Sequence, residues 1–131
     1  MRREADISRY HTGFQPGAVA AGVACSFVLT LLASALLALA VYSTGLSDAT
    51  AETAIFYTSV LCLAAGAAYG ARRAEALGWL HGAAIGLVYV SLAVAAGLLA
   101  FQTDVSAFDL LRHLMLGLVA GVVGGVLGVN L

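Results

Sequence analysis

Few residues in this chain have the type and spacing for chemistry. Its two cysteines, Cys25 and Cys62, lie inside apolar runs with neither CxxC nor His-pair spacing. They read as buried free thiols, not as a zinc or redox motif. His81 and His113 fall at the starts of two apolar segments that run in opposite directions, so they belong to opposite faces and cannot share a metal. Both are expected to be interfacial and solvated. No serine, cysteine or carboxylate has a base beside it, and no glycine-rich loop is placed to cradle a phosphate. The chain is therefore expected to be no enzyme and to hold no cofactor or metal. The hydroxyls of Ser26, Thr30, Ser34, Thr58 and Ser91 either line a narrow polar path or bond to the carbonyl one turn back. Asn130 is either an interfacial amide at a helix end or an interhelical hydrogen bond.

The elements that carry these residues follow from composition. Hydrophobic residues make up 62% of 131 positions and charged residues 10%, against about 45–50% and 25% in soluble domains. The mean hydropathy is +0.99. With six arginines, no lysine and a net charge of -1, the chain has no basic patch for a nucleic acid. Four apolar segments, at about 17–42, 54–71, 80–101 and 110–131, are each long enough for a helix to cross a hydrocarbon core about 30 Å thick. None alternates at period two, so strands do not compete. The fold class expected is an all-α membrane protein: four transmembrane helices in a compact bundle, joined by short connections that make neighbours antiparallel. Ser43-Thr44-Gly45 closes the first span, and Ser106-Ala107-Phe108-Asp109 reads as a capping box opening the fourth.

Arg2 and Arg3 ahead of an apolar run imitate a targeting signal, but the run from Gly17 to Tyr42 is too long and further spans follow, so an uncleaved first span is expected. Residues 1–16 form a cytoplasmic tail. Ile7, Tyr10 and Phe14 at helical spacing make it either a short interfacial helix or a mobile segment.

The strongest pattern is a small residue at every fourth position. It runs through Ala18, Gly22, Ser26, Thr30, Ser34 and Ala38 in the first span, and through Ala54, Thr58, Cys62, Gly66 and Gly70 in the second. The third carries Gly78, Gly82 and Gly86, and the fourth Gly117, Gly121 and Gly125, with Gly124 and Gly128 on the same side. Lipid supplies no hydrophobic drive between helices, so association depends on backbones coming close, which such ridges allow. The glycines are the expected helix contacts. Each pair of spans has a glycine-started first member and a glycine-rich second, which also fits two parallel helical-hairpin repeats.

Gly78-Trp79-Leu80-His81-Gly82 and Gly124-Gly125-Val126-Leu127-Gly128-Val129-Asn130-Leu131 resemble the YrzE-like family of small four-span bacterial membrane proteins of unknown function. The resemblance implies a bacterial plasma-membrane protein, supplies no catalytic residue, and implies accessory components of the Sec export machinery as a partner to consider. The charged tail through Pro16 departs from that family's compact form.

No Asp, Glu, Lys or Arg lies in mid-span, which argues against a coupled pump or transporter. The first expectation is a non-enzymatic assembly or accessory subunit that packs against itself or another membrane protein, surrounded by lipid. The second is a small oligomeric channel or carrier for a neutral or weakly polar solute, lined by hydroxyl faces. Arg2, Arg3, Arg9, Arg72 and Arg73 share one side and Arg112 alone the other, placing both termini in the cytoplasm. Cysteines introduced at Ala5, Ala49, Ala74 and Thr103 are predicted to label from outside only at 49 and 103; external labelling at 5 or 74 would invert the topology.

Overall fold

The computed structural model describes residues 13–101 and 106–131. Within them the chain is four helices: α1 Pro16–Thr44, α2 Asp48–Ala74, α3 Gly78–Phe101 and α4 Ala107–Asn130. All four are long and apolar enough to cross a membrane. The chain is a multi-pass membrane protein. At 1.5 Å per residue the helices run about 36–43 Å, longer than a hydrocarbon core of about 30 Å. Ile7 and Tyr10 of the expected tail helix lie outside the described residues.

Local chemistry sets the helix ends. Pro16 begins α1, where its missing N–H costs nothing, and Gly45 ends it at φ 64°, with its N–H bonded to the Val41 carbonyl at 3.0 Å. Ser47 caps α2 by accepting from the Thr50 N–H at 3.4 Å. Helix α2 thus starts six residues ahead of the apolar run at Ala54, because a serine cap followed by Asp48 in the first turn extends it into polar sequence. Arg72 and Arg73 occupy its last turn, where positive charge suits the helix dipole. Ser106 caps α4 by accepting from the Phe108 N–H at 3.2 Å.

The helices form a diamond. Within each hairpin, α1 lies against α2 and α3 against α4; α2 also packs on α3 and α4, and α1 touches α3. Helices α1 and α4 do not meet, so the two hairpins are alike inside but not equivalently placed.

Backbone approach sets the α3–α4 contact. A methyl added at Gly82 would fall on the Gly121 carbonyl, one at Gly121 on the Gly82 carbonyl, one at Gly86 on the Gly117 carbonyl, and one at Gly125 on the Gly78 carbonyl. Gly124 and Gly128 turn instead to the Ala64 and Ala68 carbonyls of α2. One glycine-rich side of α4 therefore serves two partners. Gly66 faces Ser26 and the Gly22 carbonyl of α1. Ile85, fully buried, reaches from α3 into the gap left by Gly22 and Gly70, and Val19, Val23, Leu63, Ala67 and Val90 complete the core around it.

This packing generates a comparison. Gly121→Leu must separate α3 from α4, an overpacking cost of about 1–3 kcal/mol, whereas Val123, half-exposed on the same helix, has room for one more carbon. Thermal unfolding in detergent is predicted to fall sharply for Gly121→Leu and hardly for Val123→Leu. Equal tolerance would mean the ridge is not a contact.

Candidate functional site

Two places in the bundle gather polar groups. The first is the end that carries Gln15, the α2–α3 connection and Asn130, called here the terminal face. His81 sits one turn into α3 and is fully buried, with no exposed surface. The expectation of a solvated interfacial histidine is wrong. The segment before α1 folds over the ring: Phe14 stacks on it at 5.2 Å between centroids and 15° between planes, and the Gln15 N–H donates to Nε2 at 2.9 Å. Hydropathy and spacing carry no sign of this cover.

A backbone N–H can only donate, so Nε2 must accept and the ring proton sits on Nδ1, which lies 3.0 Å from the Leu77 carbonyl. Both nitrogens are satisfied by a neutral ring. The Gln15 side chain adds a 3.4 Å bond to the Ala74 carbonyl, so the start of α1 is fastened to the start of α3 and to the end of α2. Ala74 is itself buried, which makes exposed Glu75 the better labelling position on this connection.

That connection is held in an uncommon shape. Glu75 and Leu77 have φ of 59° and 51°, the left-handed region that disfavours side chains by about 1–2 kcal/mol each. The Leu77 carbonyl also receives the Leu80 and His81 N–H groups at 3.0 and 3.1 Å, which helps fix the turn. Held this way, the connection leaves Leu77 42% and Trp79 55% exposed, beside exposed Arg72 and Arg73. Asn130, exposed at the same end, donates to the Val126 carbonyl one turn back at 2.7 Å; it is a helix-end amide, not an interhelical bond.

The hydroxyls are largely turned onto the protein. Ser26, fully buried, donates to the Gly22 carbonyl at 3.0 Å. Thr30 lies 2.9 Å from the Tyr89 hydroxyl, which ties α1 to α3, and Phe27 packs on the Tyr89 ring at 4.7 Å. Tyr89 is a polar contact that stripe spacing could not supply. Ser34 and Thr58 are half-buried and Ser91 is exposed.

The second place is a cleft of about 450 Å³ toward the opposite face, walled by α2, α3 and α4. Its floor is Leu63, Tyr89 and Gly117, where the glycine contacts stop. Ile55, Val60, Val90 and Val94 make the sides apolar; Glu52, Ser59 and His113 supply the polar groups. Phe56 lines the cleft too, with the Arg112 guanidinium 5.7 Å from its ring centroid and the His113 ring edge-on at 6.2 Å. His113 is exposed and bonds to the Asp109 carbonyl. Among the described residues no group of three or more His, Cys, Asp or Glu could hold a metal, and Cys25 and Cys62 are free thiols.

Residues 15–128 match the family described as Protein of unknown function (DUF3792). No curated protein matches, and no solved structure does.

Replacing His81 tests the cover at the terminal face. His81→Leu leaves the Gln15 N–H without its acceptor, at about 1–3 kcal/mol for an unpaired buried group, while the Leu77 carbonyl keeps its two backbone donors. It is predicted to lower thermal stability in detergent and to make the chain around Gln15 more open to proteolysis, with the four helices intact by circular dichroism. Unchanged proteolysis would show that the ring does not fasten the segment.

Proposed function

We propose, on the premise that the chain belongs to the DUF3792 family of proteins of unknown function, that it acts as a non-enzymatic assembly or accessory subunit that docks another membrane protein at its terminal face. The support is the α2–α3 connection. Two left-handed residues and a buried histidine fix its shape, and side chains that lipid packing does not need, Leu77 and Trp79, stand outward beside two arginines. Strain of this kind persists where the surroundings hold it, and it concentrates at functional positions. Interfacial tryptophan and arginine also anchor helices at headgroup level, and the left-handed Glu75 closes α2 as its C-cap, but neither role requires the left-handed backbone at Leu77.

Both segments that resemble the YrzE-like group, Gly78–Gly82 and Gly124–Leu131, belong to this face. With the arginine bias it becomes the cytoplasmic face of a bacterial plasma membrane, where Sec export components are one partner class to score. A hydroxyl-lined channel has less support, since Ser26 and Thr30 are bonded within the bundle.

A photo-crosslinking residue at Leu77 or Trp79, expressed in the native membrane, is predicted to give a discrete protein adduct. The same probe at exposed Val119, mid-span on α4, should capture lipid. An adduct containing two copies of this chain would make the subunit a homo-oligomer. Lipid alone at all three positions would refute docking.

A further inference from the structure

The cleft between α2, α3 and α4 has no part in the docking surface, and its depth, walls and rim define an occupant. Glu52 to Leu63 is eleven helical steps along α2, about 16 Å on the helix axis, and half of a hydrocarbon core of about 30 Å is roughly 15 Å. The cleft therefore runs from one membrane surface to about the midplane, the depth of one leaflet. A volume of about 450 Å³ falls in the usual range for ligand sites, about 300–1,000 Å³. The cleft is open at the side, so its apolar walls take their contacts from whatever enters from the surrounding lipid. Among the described residues, helix α1 does not line it.

The rim carries both signs of charge. Glu52 lines the cleft; Arg112 stands just outside the lining, its guanidinium over the ring of Phe56, which does line it; both charged groups are exposed. A purely anionic amphiphile would meet the Glu52 carboxylate, and a purely cationic one would meet Arg112. A zwitterionic head satisfies both, its ammonium donating to Glu52 and its phosphate accepting from the Arg112 fork.

We propose that the cleft is a binding site for one zwitterionic phospholipid, an acyl chain lying between α2 and α3 down to Leu63 and the head group bridging Glu52 and Arg112. The chain fills the gap that opens where the glycine ridge ends, so the lipid is a structural part of the bundle at that face. A second protein's helix or an unselective lipid would fill the same gap without needing both charges.

The test uses the full chain in nanodiscs containing equal phosphatidylethanolamine and phosphatidylglycerol, released gently and weighed by native mass spectrometry. Wild type is predicted to keep about one phosphatidylethanolamine per chain. Ala93→Trp, which puts an indole into the cleft from its exposed wall, should lose it, whereas Ala95→Trp, two residues on and facing away, should keep it. Glu52→Gln and Arg112→Gln, both at exposed positions where charge pairs are weak, should each reduce phosphatidylethanolamine retention about threefold. Glu52→Gln should leave phosphatidylglycerol retention no lower. Retention equal in Ala93→Trp and Ala95→Trp, or equal for both lipids in wild type, or no retained lipid, would overturn the proposal. Should Ala93→Trp fail to fold by circular dichroism, the two glutamine variants decide it alone.

Discussion

The close approach of α3 to α4 is the contact on which the rest of the bundle depends. Between helices already in lipid, apolar side chains gain little by leaving one oily neighbour for another, so stability must come from contacts that lipid cannot make as well. Gly78, Gly82 and Gly86 on α3 and Gly117, Gly121 and Gly125 on α4 let each backbone rest on the other's carbonyls. Gly124 and Gly128 repeat this against α2, so α4 joins both central helices. With those positions set, Ile85 is aimed into the notch at Gly22 and Gly70, and α1 is held by that side chain, by the Ser26 and Gly66 contact, and by the Thr30–Tyr89 bond.

A ridge of this kind has a range, and where it ends matters. The close contacts run from the terminal face to Gly117 and Gly86. Beyond them Val90 and Val94 on α3 and Leu116 on α4 line the cleft, which lies where the glycine contacts stop. The terminal end is thus tight, and among the described residues the two left-handed residues outside glycine and the buried histidine belong to it. Close packing at one end and a cleft at the other go with one change in residue size along α3 and α4.

Much of the fold is legible in the sequence because its causes are local. Helix number follows from apolar length, and the ends at Gly45 and Ser106 are written in residue type, whereas the Ser47 cap lies in polar sequence ahead of the apolar run at Ala54 and is not part of the expected span. The small-residue stripes are equally plain, but which helix each one meets is not, because periodicity gives an azimuth and no partner. Hence Gly124 and Gly128 look like one ridge with Gly121 yet pack elsewhere, and Ala64 and Ala68, the α2 positions they meet, lie off the stripe through Gly66. His81 departs from its expected place for a related reason. Its place near a helix start indicates solvent, and only the chain crossing from Phe14 and Gln15, 66 residues away, removes it. Tyr89 and the cleft are likewise products of tertiary divergence, with no local pattern to mark them.

The claim that backbone contact between α3 and α4 organises the molecule can be tested without mutation. Protein labelled with carbon-13 only at glycine, reconstituted in bilayers, is examined by magic-angle-spinning NMR for through-space transfer between helices. Strong cross-peaks are predicted between Gly82 and Gly121 and between Gly82 and Gly125, whose α-carbons face one another across the ridge. Sharp helical glycine signals from α3 and α4 without those cross-peaks would contradict it.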